Sequence, residues 1–296
     1  MRLDWFVQEI RIVHMRCLVI GAKGMLGREL VSWLRREHEE VVSWDLPQHD
    51  ITDVEKTING IHRVGPDIIF HLAAWTDVDG CEKDPSKAAS VNFQGAWGAS
   101  LGAAETGCKL LYMSTDYVFD GRSKRTYKEK DKPNPLSVYG RTKAMGEKAV
   151  RKSCSRSYIV RTSGLYGRYG RNFVDTIRTL AGKKRSLEVV ADQVSSPTYA
   201  RDLCRPLLEL SRSDKYGIYH LTNSGYCSWF ELAGEVVRIT GADCRVVPVD
   251  TARINRPAPR PSFSVLENRN FRKRFGHVLR PWQDALKEYL SEAPTA

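Results

Sequence analysis

Tyr139 and Lys143, in the run Val138-Tyr139-Gly140-Arg141-Thr142-Lys143, are the pair whose types and spacing could do chemistry. On a helix, positions i and i+4 emerge on one face, one turn apart. A phenol ionises near pH 10, at about its reference value. A neighbouring ammonium favours phenolate, which makes the phenol a usable proton donor near neutral pH. Thr115, closing the stretch Met113-Ser114-Thr115, could offer a hydroxyl to the same oxygen. Such a trio suits protonating an oxygen while hydride arrives on its carbon. With twelve tyrosines in the chain, one Tyr-x-x-x-Lys arises readily by chance. Its weight therefore rests on the elements that must position it.

Those elements begin with Cys17-Leu18-Val19-Ile20, a short apolar run suited to a buried strand. It leads into Gly21-Ala22-Lys23-Gly24-Met25-Leu26-Gly27 and then a helical pattern through Leu30, Val31 and Leu34. Strand, Gly-x-x-Gly-x-x-Gly and helix form a phosphate cradle, with backbone N–H groups at the helix start facing a pyrophosphate. Val41 to Asp45 reads as the next strand, and Asp45 lies 24 residues after Gly21, where a carboxylate takes the adenosine ribose hydroxyls. The same glycine spacing recurs at Gly164, Gly167 and Gly170, followed 24 residues later by Glu188. Asp45 ends an apolar strand whereas Glu188 begins one, and Tyr166, Arg168 and Tyr169 crowd the second loop. The first loop is the cofactor candidate, and the second reads as a turn beside the substrate.

Further along, Asp53 is placed to cap a helix through Val64, and Asp67 to Leu72 forms a strand running into Ala73-Ala74. His71 at that strand's end reads as a structural histidine. Asp84-Pro85 starts a long helix to about Thr106, followed by a strand over Lys109 to Ser114. The charged, Pro-containing loop from Asp120 to Ser137 reads as a mobile rim over a site. The Tyr139 helix and a strand from Ser157 follow. This alternation predicts a doubly wound parallel α/β sheet, Rossmann-like, over 15–162. Ligands on such sheets bind at the carboxyl ends of the strands, where Gly21, Asp45, Ala73, Thr115 and Thr162 all fall. After Thr162 the alternation weakens. Residues 163–296 read mainly as a smaller substrate-binding lobe, with some segments returning to the first domain.

Composition narrows the function classes. Apolar content of 42% and charged content of 27% are those of a globular protein. Seven scattered cysteines without C-x-x-C read as reduced thiols rather than a disulfide frame or zinc site. No apolar run approaches the roughly 18 residues of a membrane span. Residues 1–14 carry Asp4 and Glu9, lack a signal peptide's apolar core, and could form a short amphipathic helix or an incidental extension before Met15. A cytoplasmic protein is expected. The net charge of +11 is spread in short clusters, and no nucleic-acid recognition module accompanies it. Between Arg253 and Arg280 seven arginines and one lysine face Glu267 alone, so this cluster could meet a nucleotide diphosphate.

The glycine motif with Thr115, Tyr139 and Lys143 resembles the extended short-chain dehydrogenase/reductases. Finer matches resemble the dTDP-4-dehydrorhamnose reductases within them. These include Asp50-Ile51-Thr52-Asp53, Ala73-Ala74-Trp75-Thr76-Asp77-Val78-Asp79, Ser114-Thr115-Asp116-Tyr117-Val118-Phe119 and Asn134 to Gly140. Arg161-Thr162-Ser163, Asn172-Phe173, Ser196-Pro197-Thr198 and Arg260-Pro261 add to them, so the resemblance covers about 15–290. It implies a catalytic set of Thr115, Tyr139 and Lys143 and reduction of the C4 ketone of a nucleotide-linked 6-deoxyhexulose by NADPH or NADH. Gly21, Gly24, Met25, Leu26, Gly27, Asp50, Ile51, Ala73 and Ala74 would line the cofactor. Lys23 and Asp45 would oppose each other at its ribose, and Thr76, Val78, Tyr117, Gly164 and Arg260 would meet the substrate. The chain departs from the family pattern at Gly164, where tryptophan is usual, and at Phe263, where asparagine is usual. Some members dimerise around a magnesium held by glutamates. Glu29 matches one ligand but Arg201 stands where another would be, so a homodimer stays possible and no metal is expected. A binding protein on the same fold, or a related sugar-nucleotide reductase or epimerase, remains an alternative.

Overall fold

The computed structural model describes residues 14–292. The helix considered for residues 1–14 thus lies, His14 apart, outside the described residues. Strand β1 (Arg16–Ile20) buries four consecutive apolar side chains. Continuous apolar runs are what a parallel sheet demands when helices cover both faces. The sheet is completed by β2 (Glu40–Trp44), β3 (Ile68–His71), β4 (Lys109–Thr115), β5 (Ser157–Thr162) and the strand Gly217–His220. Its order is Gly217–His220, β5, β4, β3, β1, β2, with every pairing parallel. The chain leaves β1 for β2 on one side and returns as β3 on the other, so the topological switch point lies between β1 and β3.

Register fixes where the strand ends fall. Ile20 pairs with Trp44 and with His71, and Thr115 pairs with Thr162. Gly21, Asp45, Ala73, Thr115 and Thr162 therefore share one edge, as the strand reading expected.

On one face of the sheet, α1 (Met25–Arg36) and the helix Ala200–Ser211 cover Val19, Phe70, Leu111 and Val160. On the other, α2 (Val54–Val64), α5 (Gly95–Thr106) and α6 (Val138–Ser153) cover Leu18, Ile69, Leu110 and Ile159. Asp53 caps α2 as expected, accepting from the Lys56 N–H at 3.1 Å. The single helix expected from Asp84 to Thr106 is a composite. It runs from α4 (Pro85–Ala89) through a π-helical segment, Ser90–Gln94, into α5, and a short helix α3 (Val78–Lys83) precedes it. A π turn inserts a residue without breaking the helix, which side-chain periodicity alone does not reveal.

The lobe has its own core. Val174, Leu187, Val189, Leu232, Val236 and Leu286 pack between helices Phe173–Ala181, Trp229–Thr240 and Trp282–Ser291 and the paired strands Ser186–Val190 and Arg245–Val249. The loop expected to be a mobile rim is instead pinned. Tyr127 exchanges backbone hydrogen bonds with Val265 and Glu267, and Glu129 accepts from the Asn270 N–H at 2.7 Å. Among the described residues, no helix is long and apolar enough to cross a membrane.

Candidate active site

A cavity of about 740 Å³ opens at the carboxyl edge of the sheet, between it and the lobe. Its cofactor side is built from the first glycine loop. Gly24 caps α1 without a side-chain hydrogen bond, and the first turn of α1 carries no acid. The positive end of that helix is left for an anion. A Cβ on Gly27 would stand 2.1 Å from the Gly21 carbonyl oxygen, so only glycine lets the turn close on the helix. This cradle fits a dinucleotide pyrophosphate. Met25, Leu26, Asp50, Ile51, Ala73 and Ala74 line the same cavity. At its far corner, Asp45 accepts backbone N–H bonds from Lys23 (2.7 Å) and Leu46 (2.9 Å). The Lys23 ammonium donates to the Leu46 carbonyl at 2.7 Å, which brings a cation and an anion to the same corner of the cavity.

The other end holds Thr115, Tyr139 and Lys143, all lining the cavity. Ser137 caps α6 by accepting from the Gly140 N–H at 3.1 Å, which fixes the helix start one turn ahead of Lys143. A Cβ on Gly140 would lie 2.2 Å from the Tyr117 carbonyl oxygen, so glycine lets α6 press against the turn after β4. Lys143, 2% exposed, donates to the Met113 carbonyl at 2.6 Å and sits 4.1 Å above the Tyr112 ring. Burial pulls its ammonium down to about 7, against a raising influence from Glu147.

The phenol departs from the sequence expectation. Burial pushes Tyr139 well above its ordinary value, and the facing Thr115 hydroxyl only partly offsets this. Desolvation of the phenolate outweighs any help from a neighbouring ammonium. The group is therefore held as neutral phenol, the form that carries a proton to give.

Behind the trio lies a buried ion pair. Glu147 takes Arg161 in two bonds, 2.8 and 2.7 Å, and accepts from Ser114 at 2.6 Å. Arg161 is 1% exposed, and its guanidinium lies 5.0 Å from the Phe119 ring centroid. The pair ties α6 to β4 and β5, and so sets Lys143 against the sheet edge.

The substrate candidates divide. Thr76, Val78, Tyr117 and Gly164 line the cavity. Arg260 does not: it grips Asp79 through 3.1 and 3.0 Å bonds and eases the Tyr117 phenol down against burial. Arg253 and Arg280 are likewise paired, with Glu188 and Asp202. Three of the seven arginines in the basic cluster are thus spent on carboxylates elsewhere in the chain, a long-range neutralisation that composition does not reveal. Phe263 meets the Tyr226 ring edge-on, and Arg201 pairs with Glu292 at 2.8 Å. Glu188 stands in the lobe's strand Ser186–Val190, away from the glycines that share its spacing.

Sequence reading missed Arg171, Phe173 and Trp229, which line the lobe side of the cavity. The two aromatic rings lie 4.6 Å apart and tilted. Each ring belongs to the first residue of its helix. The signal was present in the caps: Ser228 and Glu231 form a capping box ahead of Trp229, and Asn172 caps the other helix.

Comparison with known proteins follows the same lines. The family described as RmlD substrate binding domain matches residues 15–294. The chain is similar to a spore coat polysaccharide biosynthesis protein of Bacillus subtilis, 39% identical over 281 residues, covering 95% of this chain and 99% of the relative. It is also similar to the crystal structure of a dTDP-4-dehydrorhamnose reductase from Clostridium acetobutylicum (40% identity, TM-score 0.91, 93% of this chain and 98% of the other). A dTDP-4-dehydrorhamnose reductase from Bacillus anthracis, solved with NADP, superposes with a TM-score of 0.91 at 36% identity, covering 95% of this chain and all of the other. Matched almost end to end, with a dinucleotide cradle and a Thr/Tyr/Lys set on one sheet edge, the chain belongs to the RmlD substrate-binding-domain family of the extended short-chain dehydrogenase/reductases.

Proposed function

We propose that this chain reduces the C4 ketone of a dTDP-linked 6-deoxy-4-hexulose, converting dTDP-4-dehydrorhamnose to dTDP-rhamnose for cell-surface polysaccharide. The observation that carries this reading is the convergence of Thr115, Tyr139 and Lys143 on the cavity that the glycine loop also lines. Reductases of that name among the similar proteins support the same substrate class. Gly21, Gly24 and Gly27 at the start of α1 would hold NADPH or NADH, which would supply the hydride when bound. The neutral Tyr139 phenol protonates the ketone oxygen, and Thr115 holds that oxygen beside it. Lys143, whose ammonium donates to the Met113 carbonyl, has further donors that would hold the cofactor. The sugar lies between the trio and Tyr117, and its nucleotide runs toward Arg171, Phe173 and Trp229. Seven cysteines, all unpaired, support a cytoplasmic place of work.

The test is oxidation of reduced cofactor with a panel of nucleotide-linked 4-ketosugars. Turnover with the dTDP-linked 6-deoxy sugar above its UDP- and GDP-linked counterparts is expected. Turnover with none of the panel would contradict the proposal.

A further inference from the structure

One buried acid at the cavity has no part in the scheme above. Asp116 lines the pocket at the end of β4, is 3% exposed, and forms no ion pair with a cation among the described residues. Three hydroxyls from three segments converge on it. Thr115 donates to Oδ1 at 3.1 Å, Ser163 after β5 donates to Oδ2 at 2.9 Å, and Ser264 from the lobe's basic loop donates to the same Oδ2. All three donors are themselves buried. Thr115 at the same time accepts the Tyr117 N–H at 3.1 Å and faces the Tyr139 phenol. A hydroxyl has one proton, and here it is drawn back toward the carboxylate.

We propose that Asp116 is a positioning residue for the proton-donating pair, whose carboxyl decides whether the Thr115 proton faces the pocket or is withdrawn from it. When Asp116 is ionised, Thr115 donates to Oδ1 and shows the substrate only a lone pair. When Asp116 is protonated, its own O–H takes a neighbouring serine oxygen. The Thr115 proton is then released to a ketone oxygen beside Tyr139. Burial lifts this carboxyl to about 6, and the hydroxyl donors hold it from rising further. The titratable groups that sense its charge are Tyr139 from α6 and Tyr117 on its own turn, and Arg260 and Arg256 act in turn on Tyr117. The sign follows: reduction is faster with Asp116 protonated and falls as pH rises through the carboxyl's range.

This inference rests on the reductase reading. Its test is kcat/KM for the dTDP-linked 4-ketosugar at saturating NADPH, from about pH 5 to about pH 8, for wild type, Asp116→Asn and Ser264→Ala. Wild type should fall by about tenfold, the scale of one hydrogen bond, to a lower plateau. Asp116→Asn should lose the limb centred near pH 6 and keep only the one that Lys143 gives near pH 7. Ser264→Ala should move its midpoint upward, because a donor favouring the ionised form is gone. Titration of Lys143 is common to all three proteins and does not distinguish them. An active wild type without the limb near pH 6, an Asp116→Asn profile that keeps it, or an unmoved Ser264→Ala midpoint overturns the inference alone. A wild type that reduces no ketosugar overturns the reductase reading and this inference together.

Discussion

The two walls of the cavity are built by different means. The sheet wall takes each residue from the end of a parallel strand or the start of the next helix: Gly21 after β1, Asp45 after β2, Ala73 after β3, Thr115 ending β4. The lobe wall takes Phe173 and Trp229 from the first positions of two helices that are 56 residues apart in sequence and meet only through the lobe's core. Topology alone puts the first set together, whereas the second depends on how distant segments pack. The proposed proton donors and the glycine cradle therefore sit on the wall that topology builds, and Phe173 and Trp229 on the wall that depends on long-range packing.

The sheet wall breaks most severely at its buried ion pair. Glu147→Ala strands Arg161 without its partner, and loss of one member of such a pair costs about 3–5 kcal/mol. Denaturant unfolding should show this. A loss under about 1 kcal/mol would mean the pair does not brace that wall. Next in size, Tyr139→Phe should lower turnover by about a hundredfold or more while cofactor affinity persists. Near wild-type turnover would remove the phenol from the chemistry.

On the lobe wall, Trp229→Ala should raise KM for the sugar nucleotide by about tenfold, roughly 1.4 kcal/mol, and leave cofactor affinity unchanged. A matching loss of cofactor affinity would show that the walls do not divide the work. The smallest expected difference lies at the ribose corner. Lys23 and Asp45 nearly offset each other there, so NADPH and NADH should work within about tenfold of one another. Lys23→Ala should weaken NADPH selectively, and an equal loss for both cofactors would contradict the assignment of Lys23 to the 2′-phosphate.

The same division explains what the sequence made legible. Strand ends, the Asp53 cap and the i, i+4 relation of Tyr139 and Lys143 are local, and local spacing encodes them. Arg260 looked free for a diphosphate because Asp79, its partner, lies 181 residues away. The Glu147–Arg161 pair was likewise unreadable, since it depends on α6 lying across β5. The Tyr139 phenol was misjudged for a related reason. Its ionisation is set mainly by how little water reaches it, a property of the assembled pocket rather than of the neighbour at i+4.

The central claim is that hydride passes from the cofactor to C4 of a dTDP-linked 6-deoxyhexulose beside Tyr139. Reduction of dTDP-4-dehydrorhamnose with NADPH deuterated at the transferring position of the nicotinamide, read by NMR of the product, tests it directly. The account predicts dTDP-rhamnose carrying a single deuteron at C4. A product with protium at C4, or no product while the cofactor remains bound, would contradict it.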